Sequence, residues 1–337
     1  MNAFRGKHGP LLIAEIGGNH EGDFEYAKEL VNLAIESDVD YIKLQLYQGD
    51  SLVNPNISPD RNKHFKKFEL SKSQYIDLAQ MVIDAGKSFT SSVWDPEYLS
   101  WIDKYMDIYK IGSGDLTCYP ILTKIAQKGK PIVLSTGLSM MNEVENSVAF
   151  LRSINSKYQS KDNLAVLQCT SMYPIEHSDV HLNTMLTYKN KLDVTIGYSD
   201  HTTDLSALKY ATAMGAEVLE FHFTDSRDNK TFRDHKVSLT KSEVLELIEE
   251  IRLIRIIQGS SEKQPLKIET DNNHVYTFRR AVYPKTDIPA NTLISEEHLV
   301  TLRPNEGIGA EFFYELVGKY SAQDLKKYQK LDWNLFK

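Results

Sequence analysis

The sequence predicts an α/β protein, a (β/α)8 TIM barrel followed by a small β-rich domain. Three observations lead there. Eight short apolar runs alternate with amphipathic helical patterns between residue 11 and about residue 258. Periodicity then lapses in a polar stretch, GSSEKQPLKIETDNNHV (259–275), and short apolar segments resume among prolines and glycines. Polar side chains recur at the ends of the strand candidates, where such a barrel carries its chemistry. A doubly wound open sheet uses the same alternation and remains open on periodicity alone.

In chain order, the strand candidates are 11–16 (LLIAEI), 41–46 (YIKLQL), 88–93 (SFTSSV), 107–112 (DIYKIG), 131–135 (PIVLS), 164–168 (LAVLQ), 194–198 (VTIGY) and 217–222 (EVLEFH). Between them lie helical faces such as Ala27, Leu30, Val31 and Ala34, spaced i, i+3, i+4, i+7. Ser71 with Gln74 and Thr240 with Glu243 read as capping boxes, and Gly86 as the residue just past a helix end. The expected division is a barrel at 1–260, a linker at 261–278 and a small domain at 279–337. In the last of these, Pro284, Pro289, Pro304, Gly307 and Gly309 supply turn chemistry, and a charged helix is expected near 321–331.

Bulk properties narrow the class. A chain of 337 residues with 41% hydrophobic and 25% charged residues is ordinary for a globular protein. The net charge of −7 argues against nucleic acid as a partner while leaving room for a local basic pocket. Two cysteines, Cys118 and Cys169, cannot build a disulfide framework and fit a reducing compartment. No apolar stretch reaches the ~18 residues of a membrane span, and the N-terminal MNAFRGKHGPLLIAEIGG has too short an apolar run for a secretion signal. The expectation is a cytoplasmic protein without a membrane partner.

The strand ends carry, in order, Glu15, Lys43 and Gln45, Lys110 with Ser113, Ser135, Ser171 with Tyr173, Ser199 with His201, and His222. In a barrel these share one mouth. Gly112-Ser113-Gly114, Ser135-Thr136-Gly137 and Ser199 offer short donors, while Lys43 and Lys110 offer positive charge; together they suit a phosphate. A glycine-flanked serine alone is more simply a tight turn. His201 and His222, on neighbouring strands, suit a divalent ion, Mn²⁺, Mg²⁺ or Zn²⁺. Either histidine alone would be read as a core residue. Glu15, in an apolar strand, and Asp234, in the loop after the last strand, are acid/base candidates. Glu15 equally suits a structural ion pair with Lys43. Cys169 reads as a buried structural thiol.

The runs EIGGNHEG (15–22), YKIGSGD (109–115), LSTG (134–137), YSDHT (198–202) and FHFTD (221–225) resemble those of the sialic acid synthases, the N-acetylneuraminate, legionaminate and pseudaminate synthases. RPNEGIG (303–309) resembles the C-terminal antifreeze-like domain of that family. The resemblance implies a barrel joined to an antifreeze-like domain, in a homodimer whose chains exchange their small domains. It implies condensation of phosphoenolpyruvate with an N-acylated hexosamine and release of phosphate, aided by a divalent metal, Mn²⁺ or Mg²⁺ being favoured. By motif, Lys43, Lys110, Ser113, Ser135 and Ser199 correspond to phosphoenolpyruvate-binding positions, and His201 and His222 to metal ligands. Glu15, Gln45, Tyr173 and Asp234 correspond to positions around the reacting centre or the sugar, and Arg303 to an arginine delivered by the partner chain. Two features depart from the pattern. Ser171 stands where asparagine is frequent, and the 225–238 loop is longer and lacks a Pro-Gly-Pro approach to Asp234. N-acetylmannosamine and a diacetamido-trideoxyhexose both remain as acceptors. A metal-dependent aldolase or hydrolase, or a carbohydrate-binding protein without turnover, are the competing readings.

Overall fold

In the computed structural model, which describes residues 3–337, the apolar runs become eight parallel strands. The first two residues of the expected 1–260 domain lie outside the described residues. The strands are β1 (Gly9–Glu15), β2 (Tyr41–Leu46), β3 (Ser88–Val93), β4 (Tyr109–Ile111), β5 (Ile132–Ser135), β6 (Leu164–Cys169), β7 (Thr195–Asp200) and β8 (Val218–Phe223). They pair in chain order, and β8 returns to β1 in register from Leu11↔Val218 to Glu15↔His222. That closure makes a barrel and excludes the open doubly wound sheet.

A helix follows each strand: α1 (Phe24–Glu36), α2 (Lys72–Asp84), α3 (Leu99–Ile102), α4 (Tyr119–Ala126), α5 (Met141–Ile154), α6 (Asn183–Lys191), α7 (Ser206–Ala213) and α8 (Lys241–Gln258). The face predicted for α1, Ala27, Leu30, Val31 and Ala34, is fully buried. The capping box at Ser71 forms as expected, and Gly86 follows α2 with φ +73°. At α8 the expected capping box is present, with Glu243 accepting from both the backbone N–H and the hydroxyl of Thr240.

Alternation within the strands sets what faces the barrel interior. Ile13, Tyr41, Ile108, Val133, Leu167 and Val218 belong to one apolar cluster inside the ring, whereas Leu12, Ala14, Ile42 and Leu134 belong to the cluster shared with the helices. Two residues beyond each interior residue, toward the C-terminal end, stand Glu15, Lys43, Lys110, Ser135, Cys169 and Glu220. The same alternation that fills the lower barrel with hydrocarbon therefore stacks a polar layer above it.

The chain separates into two compact units, one ending at Gly259 and one beginning at Ser260. The second opens on two short helices, Lys267–Asp271 and His274–Phe278, within the stretch expected as linker. A two-stranded antiparallel sheet follows, β9 (Ala281–Pro284) against β10 (Leu299–Leu302). Its core includes Val282, Ile288, Ile294, Leu316, Leu325 and Leu331. The helix expected near 321–331 does not form. Leu325 and Leu331, six residues apart, would lie roughly 120° from each other on a helix. In extended chain each instead meets its own partner, through the bridges Ile288↔Leu325 and Gly307↔Leu331. Among the described residues no helix is long and apolar enough to cross a membrane.

Candidate active site

The polar layer at the C-terminal end of the barrel is organised around two buried lysines. Lys43 on β2 pairs with Glu15 on the adjacent β1, and its Nζ lies 3.4 Å from Glu220 Oε1. Lys110 on β4 reaches the other oxygen of Glu220 at 3.3 Å and donates to the Ile111 carbonyl at 3.1 Å. Ser199 on β7 donates to Glu220 Oε2 at 2.7 Å. Burial, then the nearby Lys110 charge, lowers the Lys43 pKa to about 8 against the pull of Glu220. Burial opposes ionisation of Glu220 as well, but Lys110, Lys43 and the Ser199 hydroxyl outweigh it and hold the carboxyl down at about 2. The site floor thus holds Lys43, Lys110, Glu15 and Glu220 out of water.

Beside Lys110, the β4 and β5 turns form a donor cradle. Gly137 N–H donates to Ser113 Oγ at 3.0 Å, which leaves the Ser113 hydroxyl proton available. Ser135 Oγ is buried without a hydrogen-bond partner. A Cβ at Gly137 would lie 2.2 Å from Ser171 Oγ and 2.9 Å from Ser113 Oγ, so only glycine lets these hydroxyls converge. Ser113, after β4, and Ser171, after β6, therefore converge at Gly137, after β5. Asp115, on the turn that carries Ser113, has its carboxyl pushed up to about 6 by burial.

Next to the floor lie the two imidazoles, with ring centroids 5.4 Å apart. Tyr173 covers His201 at 4.0 Å and meets His222 edge-on at 5.5 Å. His201 Nδ1 donates to the Thr170 carbonyl at 2.6 Å, which fixes its ring and leaves Nε2 to face a ligand. Cys169 Sγ approaches the same Nδ1 at 3.8 Å, a neighbour that sequence spacing did not reveal. His222 Nδ1 is buried without a hydrogen-bond partner, 4.0 Å from Asp234 Oδ2. Burial, then the His201 and Lys43 charges, hold the His222 pKa well below its ordinary value, in the neutral form that ligates. Among the described residues no group of three or more His, Cys, Asp and Glu side chains is arranged to hold a metal. The pair fits a divalent ion that takes two protein ligands and completes its shell with water and substrate oxygens.

Glu15, Gln45 and His222 meet above β1. A Cβ at Gly17, which adopts φ +57°, would lie 3.1 Å from Glu15 Oε1, 3.4 Å from Gln45 Nε2 and 3.5 Å from His222. Asp234 comes from the long loop after β8. Burial raises its pKa, opposed by Arg233, whose Nε lies 3.3 Å from Asp234 Oδ1. That loop is tied down along its length. Arg227 pairs bidentately with Glu243, at 2.8 and 3.0 Å, and Lys230 donates to Tyr26 Oη at 2.6 Å. Ser238 Oγ donates to the Asp234 carbonyl at 2.7 Å. Arg303 lies in the second unit, its guanidinium 5.2 Å above the Phe278 ring.

The sequence reading passed over Glu220, the carboxylate that joins the two lysines. Its signal was present: Glu220 and His222 are two apart on one strand and so share its inward face.

The chain matches the NeuB family over residues 30–263 and the SAF domain over residues 279–337. It is 32% identical to the N,N'-diacetyllegionaminic acid synthase of Campylobacter jejuni, over 94% of this chain and 97% of that protein. It is 33% identical to the N-acetylneuraminate-9-phosphate synthase of Homo sapiens, over 93% of this chain and 89% of that protein. A crystal structure of the N-acetylneuraminic acid synthetase of Leptospira borgpetersenii is similar at 28% identity with a TM-score of 0.72. That match covers 78% of this chain and 90% of the other.

Proposed function

The chain belongs to the NeuB family, and we propose that it condenses phosphoenolpyruvate with the open-chain form of a 2-acylamino-hexose, releasing phosphate and a nine-carbon 2-keto acid sugar. The observation that carries this reading is the pairing of a buried dilysine floor and converging serine hydroxyls with two adjacent imidazoles at one end of the barrel.

In this reading Lys43 and Lys110 bind the phosphate and carboxylate of phosphoenolpyruvate. Ser113, Ser135, Ser171 and Ser199 complete the contacts with short donors. Gln45, Tyr173 and Asp234 orient the sugar. A divalent cation held by His201 and His222 would supply Lewis acidity at the aldehyde carbonyl. The C3 carbon of phosphoenolpyruvate attacks the aldehyde carbon; the aldehyde oxygen takes up a proton, and positive charge develops at C2. Glu15, beside Gln45 and His222, orients a water and accepts its proton as the water adds to C2. The resulting tetrahedral phosphate then breaks its C–O bond, so that phosphate leaves with the bonding electron pair and the C2 ketone forms. We further propose a homodimer in which Arg303 reaches the acyl group bound in the partner's barrel.

The test is incubation with phosphoenolpyruvate, Mn²⁺ or Mg²⁺ and a panel of 2-acylamino-hexoses, following phosphate and the new keto acid together. Both should appear in equal amounts, only when a sugar is present, and should stop with chelator and return with metal. Phosphate without keto acid would point to hydrolysis and overturn the reading.

A further inference from the structure

Asp234 and His235 are consecutive residues of the short helical turn Arg233–Val237, and both are buried. Their side chains go to different places. Asp234 reaches His222, with Oδ2 4.0 Å from Nδ1. His235 reaches the end of β8 and the loop that follows β1. Its Nδ1 lies 2.7 Å from Thr224 Oγ1, and its Nε2 lies 3.4 Å from Glu21 Oε1. The ring is therefore held at both nitrogens, by two different elements of the barrel mouth.

The protons on this chain can be placed. Thr224 Oγ1 also lies 3.0 Å from Asp225 Oδ1 and 3.1 Å from the Ser226 carbonyl, so His235 Nδ1 is its shortest contact. With Thr224 donating to Nδ1, a neutral ring carries its proton on Nε2 and donates it to Glu21. Burial lowers the His235 pKa against the pull of Glu21, which favours that neutral form. A neutral imidazole bonded at both nitrogens can be buried at little cost.

The same loop after β1 also holds the Asp234 backbone. Asn19, fully buried, donates from Nδ2 to the Phe223 carbonyl and to Ser238 Oγ, both at 2.8 Å. Ser238 Oγ donates in turn to the Asp234 carbonyl at 2.7 Å, and Ser238 stands opposite His222 where the chain pairs with β8 again. Asn19 and Glu21 thus act on residues 234 and 235 from one short segment. The Asp234 carboxyl itself has weaker anchors, the exposed Arg233 at 3.3 Å and His222 at 4.0 Å. Its place in the site is set by the turn that carries it, and His235 is the side chain that pins that turn.

We propose that His235, gripped by Thr224 and Glu21, is a positioning residue that holds the Asp234 carboxyl at His222 and so aligns the acceptor sugar. The proposal rests on the synthase reading above, in which Asp234 orients that sugar.

The test joins kinetics to crystal structures of His235→Ala and Glu21→Ala. The second variant removes a half-buried partner and leaves the buried ring in place, so the question survives if the first fails to fold. Each change should lower kcat/KM for the acceptor about tenfold or more, mainly through the acceptor KM, with the phosphoenolpyruvate KM within about twofold of the parent's. In an Asp234→Asn background the same changes should cost less than about twofold more, because the carboxyl they position has gone. In the crystal structures the residue 234 carboxyl should be displaced from His222 while the barrel strands stay in place. Losses that multiply in full with that of Asp234→Asn overturn the proposal, since His235 then acts by another route. A fall in kcat with neither KM changed marks a merely structural role and overturns it too. So does an undisplaced carboxyl, whatever the kinetics, and each of these leaves the synthase reading intact. No consumption of phosphoenolpyruvate by the parent with any 2-acylamino-hexose overturns the synthase reading, and this proposal with it.

Discussion

At the floor of the site, Glu220 and a bound phosphate would compete for the same two ammonium groups. The carboxylate is 4% exposed and touches both Lys43 and Lys110, so neutralising it leaves two buried cations short of one counter-charge. Glu220→Gln is therefore expected to lower the stability of the ligand-free protein by about 3 kcal/mol. The same change should strengthen binding of inorganic phosphate, because one repulsive negative charge has gone. Thermal unfolding with and without phosphate reads both effects: the variant should melt lower without phosphate and gain more from it than the parent does. An equal gain in the two proteins would show that phosphate does not bind over Glu220. Residues of this kind are hard to see in sequence because EVLEFH looks like any half-buried strand until the barrel is known to be closed. Ser135 and Lys110 were legible because glycine turns followed them; Glu220 had no such marker.

Elements were legible where side-chain periodicity alone decides them. All eight barrel strands were, because each is a short segment set off by turn residues or by helical periodicity on either side. The loop helix Pro59–Phe68 was not singled out, since its apolar face packs on other loops of the mouth rather than on the strands. The tail at 321–331 misled because its charges suggested a helix while its two leucines belonged to separate bridges. How elements are tied to one another is also invisible in periodicity. Asp38, just past α1 with φ +63°, accepts from Lys7 at 2.5 Å and Lys87 at 2.8 Å, linking the turn before β1 to the approach to β3. These bonds lower its pKa from 3.8 to about 2. A carboxyl whose pKa is depressed by folding stabilises fully above its unfolded value, and that contribution fades as pH falls through the folded value. Asp38→Asn should therefore cost about 1 kcal/mol at pH 7, a figure discounted for the exposure of the side chains involved. The difference in urea midpoint between variant and parent should shrink steadily between about pH 4 and pH 2. A difference independent of pH across that window would mean that the charge of Asp38 is not what holds the elements together.

On the scale of the whole molecule, the open matter is where Arg303 acts. Within its own unit the loop that carries it is firmly held. Tyr283 Oη donates to the Pro304 carbonyl at 2.7 Å, Tyr276 Oη donates to Glu306 at 2.7 Å, and the Asn305 N–H donates to the Tyr276 carbonyl at 2.9 Å. Tyr276 lies in the stretch first read as linker, so part of that stretch belongs structurally to the small domain. Sequence could mark Arg303 as a donor in a turn but not the barrel it serves, because periodicity carries no information from one compact unit to the other. If Arg303 acts in trans, a dimer with Arg303→Ala on one chain and Lys110→Ala on the other has one site with both lesions and one with neither. The two inactive variants, dissociated, mixed in equal amounts and reassociated, should pair at random and leave about half the dimers mixed, so that roughly a quarter of all sites are intact. Activity should then recover to about that fraction of the parent's, and the recovery should require subunit exchange, which differently tagged chains make visible. If Arg303 serves its own barrel, every site keeps one lesion and mixing restores nothing. Exchange without recovery would sink the assignment in trans and return Arg303 to the chain that bears it.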